Sequence, residues 1–238
     1  MTSPSGRFLD SEIASSGNGR SKSVSTSEVL FRNIVRGLYE GRYVPGQRLI
    51  EVDLSQEYKV SRFVVREALA RLMAEGVVST NFNRGAVIPR LSRKEASDIF
   101  LVMEKVFSLS ASLAAENIDL PGNQALLSNS MAQLLEFTAD DDFDFFEFGR
   151  ASSLFFRSLV KISGNAQLQR VISALQVHLI RVQFRAYPSV AEVYRLNEFR
   201  KIGDAVSNGD AARAAREMSD YFVSLARDIA ALPDRAFA

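Results

Sequence analysis

Residues 45–78 read PGQRLIEVDLSQEYKVSRFVVREALARLMAEGVV, and the run from Ser61 onward decides the fold. Ser61 is a good N-cap, because a serine hydroxyl accepts from the free amides of a first helical turn. The residues after it form an amphipathic helix with Val65, Ala68, Leu69 and Leu72 as its inner stripe. Arg62 and Arg66 are four residues apart, so both lie on one exposed face near the N-terminal end. A recognition helix presents that end to the major groove of DNA, where the guanidinium fork can donate two hydrogen bonds to guanine O6 and N7. Residues 51–58 form a shorter preceding helix with Leu54 inward, and Lys59-Val60 is the bend between the two.

Toward the N-terminus, Val29, Leu30, Ile34, Val35 and Leu38 recur at helical spacing after Ser27, and Gly41 closes that helix. Pro45-Gly46 supplies a turn. After Gly76, VVST and GAVIP are two β-prone runs around Asn81-Phe82-Asn83-Arg84, which reads as a hairpin wing with Arg84 placed to reach a phosphate or the minor groove. The sequence therefore divides into a tail over 1–26, a winged helix-turn-helix over 27–90 and a second domain over 91–232. The tail is rich in Ser and Gly with hardly any large apolar residue, so it is expected to be disordered.

Residues 27–90 carry ten Lys/Arg against seven Asp/Glu, whereas 91–238 carry 16 against 19, so the positive excess sits with the recognition helix. The chain has no cysteine, which excludes disulfides and thiolate chemistry and fits a reducing compartment. No apolar run approaches the roughly 20 residues that cross a bilayer, and a cytoplasmic protein is expected.

Beyond Pro89 the pattern is helical, with expected segments at 93–118, 122–138, 141–163, 165–186, 190–207 and 209–231. The fold class is mainly α: a winged helix-turn-helix followed by an all-α bundle of six to seven helices. Phe143, Phe145, Phe146 and Phe148 crowd among Asp140, Asp141, Asp142, Asp144 and Glu147, so some of these rings are expected between helices or across a subunit boundary, and the acids oppose a membrane surface. His178, the only histidine, lies in an apolar helical stretch as a core or cavity residue.

The stretch quoted above, with the later NRGAVI, resembles the DNA-binding domain of the GntR family of regulators. The resemblance implies base or phosphate contacts from Arg62 and Arg66, backbone contacts from Ser61 and Phe63, a phosphate contact from Arg48, and a wing of Asn83, Arg84 and Gly85 approaching the minor groove. Phe63 and Val64 stand where the family often has Thr and Pro. The loss of the threonine hydroxyl either removes a phosphate contact or lets the ring pack on a thymine methyl.

SLVKISGNAQL, NEFRKIGDAVSNGDAARAAREM and ASLAAENI resemble the FCD type of GntR C-terminal domain, a helical bundle around an effector cavity. That class usually holds a divalent metal through one Asp and three His. Here those positions fall on Ser152, Phe156, Phe199 and Tyr221, which do not make a ligand set, so no metal or other cofactor is expected. Met103 and Phe107 stand where the class has Arg and Glu. These substitutions either dry a ligand cavity or fill it. If a pocket remains, Arg150, His178, Arg181, Arg185, Tyr194 and Tyr221 are its polar anchors, suited to a small apolar or aromatic acid. The resemblance implies a homodimer on an inverted-repeat operator in double-stranded DNA, commonly a repressor released by an effector, and no enzyme. The alternative is a regulator whose bundle only dimerises.

Overall fold

The computed structural model describes residues 25–74, 76–81, 85–137, 144–174, 177–184, 187, 190 and 195–238, whose buried apolar side chains fall into two cores. The expectations for the tail before Ser25, for Asn83 and Arg84, for Arg185 and Tyr194, and for Phe143 with Asp140, Asp141 and Asp142 lie outside the described residues.

The first core begins with α1 (Thr26–Glu40), whose N-cap is Ser25: its hydroxyl accepts from the Glu28 amide at 3.2 Å. The helix thus starts inside the stretch assigned by sequence to the tail, because Ser25 rather than Ser27 satisfies its first turn. Leu30, Phe31, Ile34 and Leu38 face inward, Val29 stays exposed, and Gly41 at φ 79° returns its amide to the Leu38 carbonyl. β1 (Arg48–Leu49), α2 (Glu51–Glu57), α3 (Arg62–Ala74), β2 (Ser79–Asn81) and β3 (Gly85–Val87) follow. The antiparallel sheet runs in the order β1-β3-β2, with Arg48 opposite Val87 and Asn81 opposite Gly85. β1 is not predicted from sequence, since two residues carry no alternation, yet it carries Arg48 to the base of the wing.

Between α2 and α3, Lys59 adopts φ 53°, and the turn is tied by Ser55 Oγ donating to the Val60 carbonyl at 2.6 Å. Tyr43 packs under it with its hydroxyl 2.9 Å from that of Tyr58 and 3.1 Å from the Glu57 carboxylate. Burial, and then these partners, push the Tyr43 phenol well above its ordinary pKa.

The second core is built by α4 (Arg93–Glu116), α5 (Asn123–Leu135), α6 (Phe145–Ile162), α7 (Ala166–Ala174), α8 (Val177–Phe184), α9 (Leu196–Ser207) and α10 (Ala211–Ala230). Ser92 and Glu95 form a capping box at the start of α4, and α10 packs against α4 with α5, α6 and α9 around them. The unit extends past the expected boundary at 232. Arg93 donates to the Leu232 carbonyl at 2.9 Å and lies 4.2 Å above the Phe237 ring, and Ala236 and Phe237 are buried. Residues 233–238 fall outside the expected domain because so short a segment shows no helical period.

The cores meet at α8. Ile180 and Phe184, one helical turn apart, belong to the bundle, whereas Val182 between them is buried in the winged-helix core. Gln183 clamps the connecting segment: its Oε1 accepts from the Leu91 amide at 2.7 Å, and its Nε2 donates to the carbonyls of Leu91 at 2.8 Å and Ala236 at 2.9 Å. No helix among the described residues is long and apolar enough to cross a membrane.

Candidate nucleic-acid interface and effector site

α3 is amphipathic because Val65, Ala68, Leu69 and Leu72 bury together, leaving Arg62, Phe63, Arg66 and Glu67 on the open face. Ser61 sits just before the helix with its Oγ accepting from the Val64 amide at 3.3 Å, so its hydroxyl hydrogen is available to a phosphate. Arg48, Arg66 and Gly85 line one groove between β1, α3 and β3. Gly85 has φ +71°, a conformation that costs a side chain strain, and a Cβ there would lie 3.8 Å from the Arg48 guanidinium. The positive φ is therefore what favours glycine at the start of β3, beside Arg48.

Not every arginine on α3 stands clear of α1. Arg71 is ion-paired with Glu28 of α1, and its guanidinium lies 4.2 Å over the Phe31 ring. It fixes α3 against α1, whereas Arg62 and Arg66 form no ion pair among the described residues.

In the bundle, Phe156, Phe199 and Tyr221, from α6, α9 and α10, come together. Phe156 lies at the centre of an aromatic cluster, with the rings of Phe107, Phe155, Phe199, Tyr221 and Phe222 at centroid distances between 4.9 and 6.0 Å. These are contact distances for aromatic pairs, so the rings fill these positions with one another. Phe155 and Phe222 were not singled out from sequence; the doublets Phe155-Phe156 and Tyr221-Phe222 were the available signal. Met103 is buried on α4, one turn before Phe107.

Ser152 is fully buried, and its hydroxyl donates to the Gly149 carbonyl of its own helix at 3.3 Å. Three aromatic rings and a backbone-bonded hydroxyl do not fit the metal that the resemblance implies, and among the described residues no three His, Cys, Asp or Glu side chains converge.

Of the polar anchors, Arg181 reaches the cluster: it donates to Ser153 Oγ at 2.6 Å, with its guanidinium carbon 6.0 Å from the Phe156 centroid. Ser153, the neighbour of the serine expected from sequence, is thus the one that meets an anchor. Arg150 differs from expectation. It pairs with Glu147 at 3.0 Å along α6 and is 41 % exposed, because the i,i+3 carboxylate holds it at the surface. His178 lies on α8.

Residues 26–88 match the family described as bacterial regulatory proteins, gntR family, and residues 98–224 match the FCD domain. An HTH-type transcriptional regulator in an unstable DNA locus of Streptomyces ambofaciens is 27 % identical over 186 residues, covering 78 % of this chain and 77 % of that protein. A probable D-xylose utilization operon transcriptional repressor of Paenarthrobacter nicotinovorans is 24 % identical over 188 residues, covering 79 % and 81 %. Among solved structures, E. coli McbR/YncC superposes with a TM-score of 0.67 at 20 % identity, covering 84 % of this chain and 95 % of that one.

Proposed function

Since the chain belongs to the GntR family and carries an FCD domain, and is thereby a DNA-binding transcription regulator, we propose that it acts as a homodimeric repressor in the cytoplasm that a small molecule releases from an inverted-repeat operator. The division of labour is a DNA-reading unit over 27–90 and a sensing and dimerising bundle over 91–232, with residues 233–238 closing the bundle, and no catalysis belongs to it. The observation that carries the DNA contacts is the groove that brings Arg66 of α3 beside Arg48 of β1 and Gly85 of the wing, with Arg62 exposed one turn earlier on α3. Ser61 is a further phosphate contact, as are Asn83 and Arg84 on the reading of the sequence alone. A two-fold dimer presents two such helices to successive major grooves, which is why the operator is an inverted repeat.

Fluorescence anisotropy on a duplex selected from a random pool tests this. Arg62→Ala and Arg66→Ala should each weaken binding by about 1–3 kcal/mol at fixed salt and leave the dimer intact. Arg216→Ala, on the open side of α10, should change nothing. Unchanged affinity in both α3 variants would sink the assignment.

The effector is a small apolar or aromatic acid whose carboxylate meets Arg181 beside the Phe156 ring. Its binding favours one arrangement of α6 and α8, and α8 passes that choice to the other core through Val182. A thermal-shift screen of aromatic acids should find a stabilising compound whose effect disappears in Arg181→Ala. The sensing is metal-free: elemental analysis of protein purified without chelator should find no stoichiometric divalent ion, and one equivalent of zinc, nickel or manganese would refute that.

A further inference from the structure

Phe63 is 64 % exposed and lies at the second position of α3, between Arg62 and Arg66. Its direction distinguishes it from both arginines. At about 100° per residue, the stripe formed by Val65, Ala68, Leu69 and Leu72 centres about 170° from Phe63, but only about 70° from Arg62 and about 110° from Arg66. The phenyl ring is therefore aimed away from the core, more directly than either arginine, at the end of the helix that enters a major groove.

An exposed phenyl gains from leaving water only against an apolar partner. On the floor of the major groove that partner is the thymine C5-methyl, since the other base-edge features there are hydrogen-bond donors and acceptors. Phe63 has no group to exchange with a donor or acceptor, so it discriminates by shape and apolar contact alone.

We propose that Phe63 is a specificity-determining residue that reads a thymine methyl in each half-site, next to the guanine read by Arg66. This rests on the reading of α3 as the DNA-contacting helix. Phe63 and Arg66 are one helical turn apart, about 5–6 Å between their Cβ atoms, which places the thymine and the guanine one or two base steps from each other. Phe63 supplies discrimination between thymine and cytosine that the arginines do not.

The test uses the full chain and a duplex that it selects from a random DNA pool. Each thymine of that duplex is replaced in turn by deoxyuridine, which removes the methyl and keeps the base pair. Wild type should lose about 3- to 5-fold in affinity at one thymine per half-site, the loss expected for one buried methyl. Phe63→Ala should bind the thymine and deoxyuridine duplexes equally at that position, while 7-deazaguanine at the neighbouring guanine still weakens it. Because Phe63 is exposed, the variant keeps its fold, checked by thermal unfolding. Insensitivity of wild type to every deoxyuridine overturns the proposal and leaves the DNA reading standing. So does a Phe63→Ala loss that is uniform across all duplexes, which would mean packing on sugar or wedging between base steps. Failure of wild type to select any duplex overturns both.

Discussion

Phe199→Ala is expected to lower the stability of the bundle by about 3–5 kcal/mol, the range for truncating a fully buried phenylalanine when the surroundings cannot collapse. Phe199 has no exposed surface, and its ring touches Phe155 edge-on at 5.5 Å and Tyr221 at 5.1 Å, with Phe156 at 5.7 Å. These rings come from three helices, α6, α9 and α10, so a void at Phe199 cannot be closed by a rotamer change in one element. Phe199→His tests the same position from the chemical side. An imidazole there faces phenyl rings, with Ser152 and two further aromatic positions in place of co-ligands, so added zinc should not restore stability. Urea unfolding followed by circular dichroism reads both. A loss below about 1 kcal/mol for the alanine variant would mean that the rings do not pack as a core.

Gln183→Leu is the second large effect, at about 2–4 kcal/mol. Leucine keeps the volume but removes the partners of the Leu91 amide and the Ala236 carbonyl, and an orphaned buried polar group costs about 1–3 kcal/mol. The Leu91 carbonyl is spared because the Ala238 amide also donates to it at 3.0 Å. The same change loosens the connection between the cores, so limited proteolysis should cut faster within residues 88–92. An unaltered digestion pattern together with unaltered stability would show that the Gln183 clamp carries no weight.

The recognition helix was legible because Val65, Ala68, Leu69 and Leu72 repeat at the helical period, and the bundle because six segments do so between Gly and Pro breaks. What sequence did not show is how a face chooses its partner. Val182 reads like Ile180 and Phe184, yet it packs into the other core. Arg71 reads like Arg66, and only the fold brings Glu28 and Phe31 to it. In the candidate effector site, aligned motifs located Phe156, Phe199 and Tyr221, and the structure brings them together. Ser152 and Ser153 differ by one step of 100° around α6, and one bonds its own backbone while the other meets Arg181.

The claim that α3 reads DNA in sequence is tested most directly by selecting duplexes from a random pool with the full chain and sequencing what is retained. The expected result is an enriched inverted repeat whose half-sites are centred about one helical turn apart, and no enriched repeat when Arg62 and Arg66 are both alanine. Retention of duplexes with no common sequence by the wild-type chain, or the same repeat from the double variant, would contradict it.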